Sequence, residues 1–289
     1  MRQVITVANM RDSDAYTIAH EVPSLELMYR AALGVYEAHP FWRGRIAIVA
    51  GSGNNGGDGY ALACILADRG IRSSVYRLSD KFSPDGQYYC DLAEKKGVIL
   101  KEYRKDTLLA EFDIIVDCIL GTGFSGEVRG VVKNVIEEIN ASGAYVISVD
   151  INSGLNGDTG RGATAVRSDL TVSIGYLKPG MFFANAETLV GKLRNTDIGI
   201  RALREEYWLA EEDEIDFQRS DRHLGSEDGL TVSQEQLEKN LLQDETLPEA
   251  ARRLAQKEGK LLRVAGRNQI VTDGNRVYLI PEDKELPKE

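Results

Sequence analysis

Short Val- and Ile-rich runs alternate with longer amphipathic stretches through the first 200 positions of the chain. RIAIVA (45–50), SSVYRL (73–78), DIIVDCIL (113–120), AYVISVD (144–150) and DLTVSIG (169–175) have the length and β-branched content of buried strands. Between them, Tyr60 to Arg69, Gly86 to Lys96 and Val131 to Asn140 carry helical periodicity. A further amphipathic helix is predicted from Ser24 to His39, with Leu25, Leu27, Met28, Ala31, Ala32 and Val35 at core positions. Strands and helices alternating on this spacing imply right-handed βαβ units. The expected fold is a three-layer, doubly wound α/β domain with a mainly parallel sheet, spanning residues 1–200.

The pattern changes after residue 200. Residues 201–246, including EEYWLAEEDEID and RSDRHLGSEDG, are acidic with few apolar positions, and read as a linker or solvated helix outside the core. In 247–289, Leu247 to Glu258 is helical in character, and Asp273-Gly274 between two apolar runs signals a hairpin. So small a helix-hairpin appendage has to pack on something else.

Composition narrows the function. The 289 residues are 43% hydrophobic and 28% charged, enough for a core, with no apolar run long enough to cross a membrane. The net charge of −10 argues against nucleic acid or an acidic membrane as partner. Cys64, Cys90 and Cys118 form no disulfide framework, and MRQVITVANMRDSD does not read as a secretory leader. A cytoplasmic location is expected.

In an open parallel sheet, ligands bind beyond the carboxyl ends of the strands. Three such ends are chemically loaded. The first, GSGNNGGDG, formally matches GxGxxG at Gly51, Gly53 and Gly56, and Asp80 stands where a ribose-binding acid would follow. That dinucleotide-dehydrogenase reading leaves Asn54, Asn55 and Asp58 unused, although Asp58 has a plain alternative as a helix-dipole partner. At the second, Asp117 interrupts an apolar strand, where an unpaired carboxylate costs several kcal/mol. Gly121-Thr122-Gly123-Phe124-Ser125-Gly126 follows it as a flexible, hydroxyl-bearing loop. The third, VDINSGLNGDTG, ends its strand at Asp150 and places Asn152 and Ser153 in a turn; alone, Asp150 is as readily an Asx-turn residue. If the three loops meet, Asn55, Asp117 and Ser153 form an oxygen-only donor set suited to a monovalent cation, which leaves Asp150 for acid–base work.

GNNGGDG, VDCILGTGFSGE and VDINSGLNGDTG, with the flanking VANMRDSDAY, SLELMYRAA, LKPG and GKLRNTDIGI, closely resemble the YjeF N-terminal domain family, the NAD(P)H-hydrate epimerases. The resemblance covers about the first 200 residues. It implies a Rossmann-like fold and interconversion of the R and S epimers of hydrated NADH or NADPH, a metabolite-repair step. By motif position it implies substrate contacts at Asn54, Asn55, Gly56, Gly57 and Asp58, at Gly121, Thr122, Gly123, Phe124, Ser125, Gly126 and Glu127, and at Asp150. It also implies potassium (K+) at Asn55, Asp117 and Ser153. Asp150 is expected to handle the proton, with Asp58 positioning the substrate. Asn152 stands where many members have proline, a departure expected to loosen the Ser153 loop.

Many relatives carry a fused, ribokinase-like dehydratase domain. Residues 247–289 look like a truncated remnant of one, lacking its nucleotide loop and catalytic aspartate, so no dehydratase activity is expected. The resemblance brings into view coupling to a separate NAD(P)H-hydrate dehydratase, and a homodimer. The alternative is a non-catalytic nucleotide-binding or scaffold module of the same fold, which would have no need of the acids and ion ligands retained here. His20, His39 and His223 lie outside every candidate loop and read as surface or packing residues.

Overall fold

A computed structural model of the chain describes residues 1–104, 107, 109–210, 214–215, 229–242 and 245–282. The elements run β1 (Arg2–Val4), α1 (Val7–His20), α2 (Ser24–Ala38), β2 (Ile46–Ala50), α3 (Asn54–Asp68), β3 (Ser73–Arg77), α4 (Pro84–Lys95), β4 (Ile99–Glu102), β5 (Ile114–Cys118), α5 (Gly130–Ala141), β6 (Tyr145–Val149) and β7 (Leu170–Ile174). They continue through α6 (Ala186–Leu189), β8 (Lys192–Thr196), β9 (Tyr207–Leu209), β10 (Leu230–Ser233), α7 (Gln234–Glu238), α8 (Leu247–Glu258), β11 (Leu262–Ala265), β12 (Gln269–Thr272) and β13 (Val277–Ile280). The five strands and four helices predicted in the first 200 residues are all present, within two residues of their expected bounds except that α3 starts at Asn54, ahead of the expected Tyr60.

The larger sheet has seven parallel strands in the order β4-β3-β2-β5-β6-β7-β8. Its central strands are apolar on both faces because helices cover both. Leu27, Ala31, Leu62, Leu66 and Ala93 of α2, α3 and α4 pack on one side; Val135, Ile136 and Ile139 of α5 pack on the other. Winding reverses direction between β2 and β5, where Ala50 lies opposite Cys118 in register. This switch point opens a crevice at the carboxyl ends, and two of the three loaded loops flank it.

The acidic segment after residue 200 contributes more than a linker. β9 joins a second, six-stranded sheet in the order β1-β9-β13-β12-β11-β10, and Tyr207, Leu209, Leu237 and Thr246 are buried. Low apolar content concealed these elements because a few well-placed side chains suffice when the rest of the core comes from elsewhere. Residues 211–213, 216–228 and 243–244 of that segment lie outside the described residues. The predicted helix is α8, and Asp273-Gly274 turns the predicted hairpin between β12 and β13. The appendage shares its core with the main domain: Val4, Ile151, Leu155, Leu177, Met181 and Phe182 pack in one cluster with Leu209, Ala251, Leu262, Ile270 and Leu279.

That shared core predicts joint unfolding. Leu279 is fully buried, so Leu279→Ala is expected to cost about 2–5 kcal/mol and to shift a single urea transition followed by circular dichroism. Two separate transitions would contradict a common core.

Candidate active site

The turn after β2 carries the GSGNNGGDG glycines because backbone must pass backbone there. A Cβ on Gly51 would sit 2.0 Å from the carbonyl oxygen of Ile119, and the Gly51 N–H donates to the Cys118 carbonyl at 3.0 Å. α3 then starts at Asn54 without a side-chain cap, leaving N–H groups at the crevice where an anion can use them. Gly56 and Gly57 are buried beneath Asn54, Asn55 and Asp58, which line the crevice.

Asp117 is fully buried and accepts four hydrogen bonds. Ser153 Oγ donates to Oδ1 at 2.5 Å, the Ser153 N–H to Oδ2 at 2.9 Å, Ser148 Oγ to Oδ2 at 2.8 Å and the Ile119 N–H to Oδ1 at 3.3 Å. Burial still pushes its pKa up, and these bonds offset only part of the rise. Ser153 Oγ in turn accepts the Leu120 N–H at 2.8 Å. The buried Asn55 amide has no hydrogen-bond partner for Oδ1 or Nδ2 among the described residues, an arrangement that leaves an oxygen for a cation and a nitrogen for a ligand. Asn55 and Asp150 meet at Gly121, where an added Cβ would lie 3.1 Å from Asp150 Oδ2 and 3.4 Å from Asn55 Cβ. The three loops therefore come together: Asp117 and Ser153 are bonded directly, and Asn55 lies beside Gly121, the residue after the Leu120 backbone that Ser153 holds.

Asn152 tightens the Ser153 loop, contrary to the expected loosening. Its fully buried amide donates toward the carbonyls of Val166 and Leu189, both at 2.9 Å, and accepts from Thr171 Oγ1 at 2.6 Å. A satisfied buried amide fixes the turn that proline fixes through its ring.

Asp150 sits in the left-handed region with φ at 65°, strain that persists only when surrounding bonds over-determine the residue. Lys178 Nζ donates to Oδ1 at 2.6 Å, and the Thr122 N–H and Oγ1 donate to Oδ2 at 3.0 and 2.9 Å. Burial works to raise the Asp150 pKa, but the Lys178 ion pair and these hydrogen bonds outweigh it and hold the carboxyl below its ordinary value. Asp58 goes the other way: burial, then the Asp150 and Asp14 charges, push it well above the usual carboxylate range. Asp14 is raised by burial and by Asp150 and Asp85.

Asp14, Asp58, Asp85, Thr122 and Asp150 line a cleft of about 590 Å³, with Val7, Met10, Leu27, Met28 and Ile198 as its apolar wall. Gly121, Thr122, Gly123 and Phe124 border it; Ser125, Gly126 and Glu127 do not, and Glu127 is exposed and paired with Arg129 at 2.8 Å. Asp117 and Ser153 lie behind the lining. Asp80 is exposed and paired with Arg77, outside the cleft, which removes the ribose-binding acid that a dehydrogenase reading needs. His20 and His39 also lie outside it and bond to nearby backbone; His223 falls outside the described residues. The sequence reading did not single out Asp14, Asp85 or Arg11, and among them only Asp85 carried a local signal, following the Pro84 that opens a helix.

The protein family described as YjeF-related protein N-terminus matches residues 24–180. A protein named NAD(P)H-hydrate epimerase from Limosilactobacillus fermentum is 37% identical over 198 residues, covering 66% of this chain and 94% of its own. Similarly named proteins from Lentilactobacillus buchneri and Oenococcus oeni are 37% and 38% identical, with 96% and 92% of their lengths covered. The crystal structure of yeast ynu0, YNL200c, shares the fold at a TM-score of 0.59 and 20% identity, over 67% of this chain and 87% of that one. The extent of the match and the identity to these relatives make the chain a member of the YjeF-related N-terminal domain family.

Proposed function

We propose that the chain is an NAD(P)H-hydrate epimerase, an isomerase acting at the hydroxyl-bearing C6 of hydrated NADH or NADPH. One observation carries the reading beyond kinship: a single cleft holds two carboxyls whose surroundings shift them in opposite directions, Asp58 toward the protonated form and Asp150 toward the ionised one. Epimerisation needs both states. The ring-nitrogen lone pair expels the C6 oxygen as water once an acid protonates it, leaving an iminium cation. Water then adds to the opposite face and gives a proton to a base. The surroundings support Asp58 as donor and Asp150 as acceptor, with the two exchanging roles in the reverse direction. This shares the proton between the two residues, where sequence alone assigned it to Asp150. The half-buried acids Asp14 and Asp85 add negative charge that favours the cationic intermediate, and the first turn of α3 with Arg11 offers donors to the dinucleotide phosphates.

Potassium belongs to the same proposal, with Asn55, Asp117 and Ser153 as side-chain ligands and Asn55 Oδ1 as the oxygen without a partner among the described residues. One carboxylate with amide and hydroxyl oxygens suits a hard monovalent cation, and no trio of His, Cys, Asp or Glu gathers as a metal-binding group among the described residues. The ion would supply charge that steadies the loops around Asp117. A cytoplasmic setting, a homodimer, coupling to a separate dehydratase and kinship of residues 247–282 with a dehydratase-type domain are proposed on the sequence resemblance alone. Among the described residues no helix is long and apolar enough to cross a membrane.

The direct assay supplies mixed R and S NADH hydrates with a separate S-specific dehydratase. Complete consumption is expected; a halt with the R form left over would reject the reading. Asp150→Asn and Asp58→Asn are each expected to lower the rate by ~10²–10⁴-fold while substrate still binds. Because Asp58 acts as the acid, kcat/KM is expected to fall as pH rises through its elevated pKa. Asp14→Asn removes a negative neighbour, lowers that pKa and moves the alkaline limb to lower pH. For the ion, thermal unfolding in KCl and in choline chloride at equal ionic strength is expected to differ in favour of KCl, with the difference lost in Asn55→Ala; identical curves for the unsubstituted protein would remove potassium from the site.

A further inference from the structure

Lys178 follows β7 and is fully buried, behind the cleft lining and with no access to a ligand. An ammonium group so placed is strongly destabilising unless its donors are matched. Here three acceptors surround it: Asp150 Oδ1 at 2.6 Å, the Ile174 carbonyl at 2.9 Å and Ser173 Oγ at 3.3 Å. The second Asp150 oxygen is occupied by both Thr122 donors. With one oxygen tied to Lys178 and the other to Thr122, the carboxylate has a fixed plane on a backbone held at positive φ.

The charges around Asp150 explain why a cation is needed. Asp14 on α1, Asp58 on α3 and Asp85 at the start of α4 line the same cleft and are negative when ionised, while Arg11 on α1 is exposed on the lining. Four neighbouring carboxyls cannot all ionise without mutual repulsion, so the one with the matched buried cation keeps its charge. We infer that Lys178 is a positioning residue: it fixes Asp150 as the ionised, aimed proton acceptor and leaves the exchangeable proton to Asp58. This rests on the epimerase reading. It adds to that reading a residue that touches no substrate and decides which acid plays which part.

The test uses the full chain, Lys178→Met and Lys178→Arg, with two readouts. The first is the ionisation of Asp150, followed by carboxyl-carbon NMR and assigned by the signal lost in Asp150→Asn. The second is epimerisation with the separate S-specific dehydratase. In the unsubstituted protein Asp150 is expected to titrate below the ordinary carboxylate range. Lys178→Met should raise it, move the acid limb of kcat/KM to higher pH, and lower kcat by ~10²-fold or more with KM little changed. Lys178→Arg should retain the low titration and recover part of kcat. An Asp150 that titrates at or above the ordinary range in the unsubstituted protein overturns the inference even if neither variant folds. So does a folded Lys178→Met variant with an unmoved pH profile. An inactive unsubstituted protein whose Asp150 is still held ionised would be a separate failure, sinking the epimerase reading and the catalytic role of Lys178 with it while leaving the ion pair in place.

Discussion

A single buried carboxylate holds the loops of this protein in place. Asp117 stands mid-sheet, where an unsatisfied charge would cost more than the fold can spare, and its four donors come from β6, from the turn after β6 and from its own strand end. Meeting those donors forces Ser153 under the loop that starts at Ile119, and Ser153 then catches the Leu120 backbone. Thr122 is thereby delivered to Asp150. The geometry of the crevice is a consequence of satisfying one aspartate.

Around that anchor the protein keeps like charges close together, an arrangement that costs stability and is found where chemistry requires it. Burial pushes the pKa of Asp14, Asp58 and Asp150 upward. One buried lysine prevents that for Asp150 and makes the group asymmetric. The apolar wall of Met10, Leu27, Met28 and Ile198 keeps the local dielectric low, so neither the repulsion nor the pairing is screened away.

The main sheet was legible in the sequence because its central strands are covered on both faces and read as unbroken Val/Ile runs. Glycines marked the turns where backbone crosses backbone. What stayed hidden was hidden for physical reasons. α1 buries Asn9, Ser13 and Thr17, so no apolar stripe announces it, and Asp14 and Arg11 went unnoticed with it. The edge strands β4 and β8 are partly exposed and polar, with no period to detect. Lys178 was visible only inside LKPG; nothing in its neighbours says that a lysine there is buried, since its partners lie 4, 5 and 28 residues away. The division of protons between Asp58 and Asp150 depends on neighbours from four segments of chain and has no local signature.

β1 has a consequence for how the molecule is made. Its ladder partner is Tyr207–Leu209, and that strand's other neighbour is β13, near the end of the described chain. Glu206 reaches back to the start of α1, accepting the Thr6 N–H at 2.6 Å and the Thr6 hydroxyl at 3.0 Å. At ~5–20 residues per second of synthesis, the first strand waits on the order of 10–40 s for residues 207–209 to leave the ribosome. The seven-stranded sheet can assemble during that interval, but α1 and the cleft wall it carries lock into place only once residues 206–209 have emerged. A nascent chain therefore has its glycine loops and central strands well before it has a finished binding cleft.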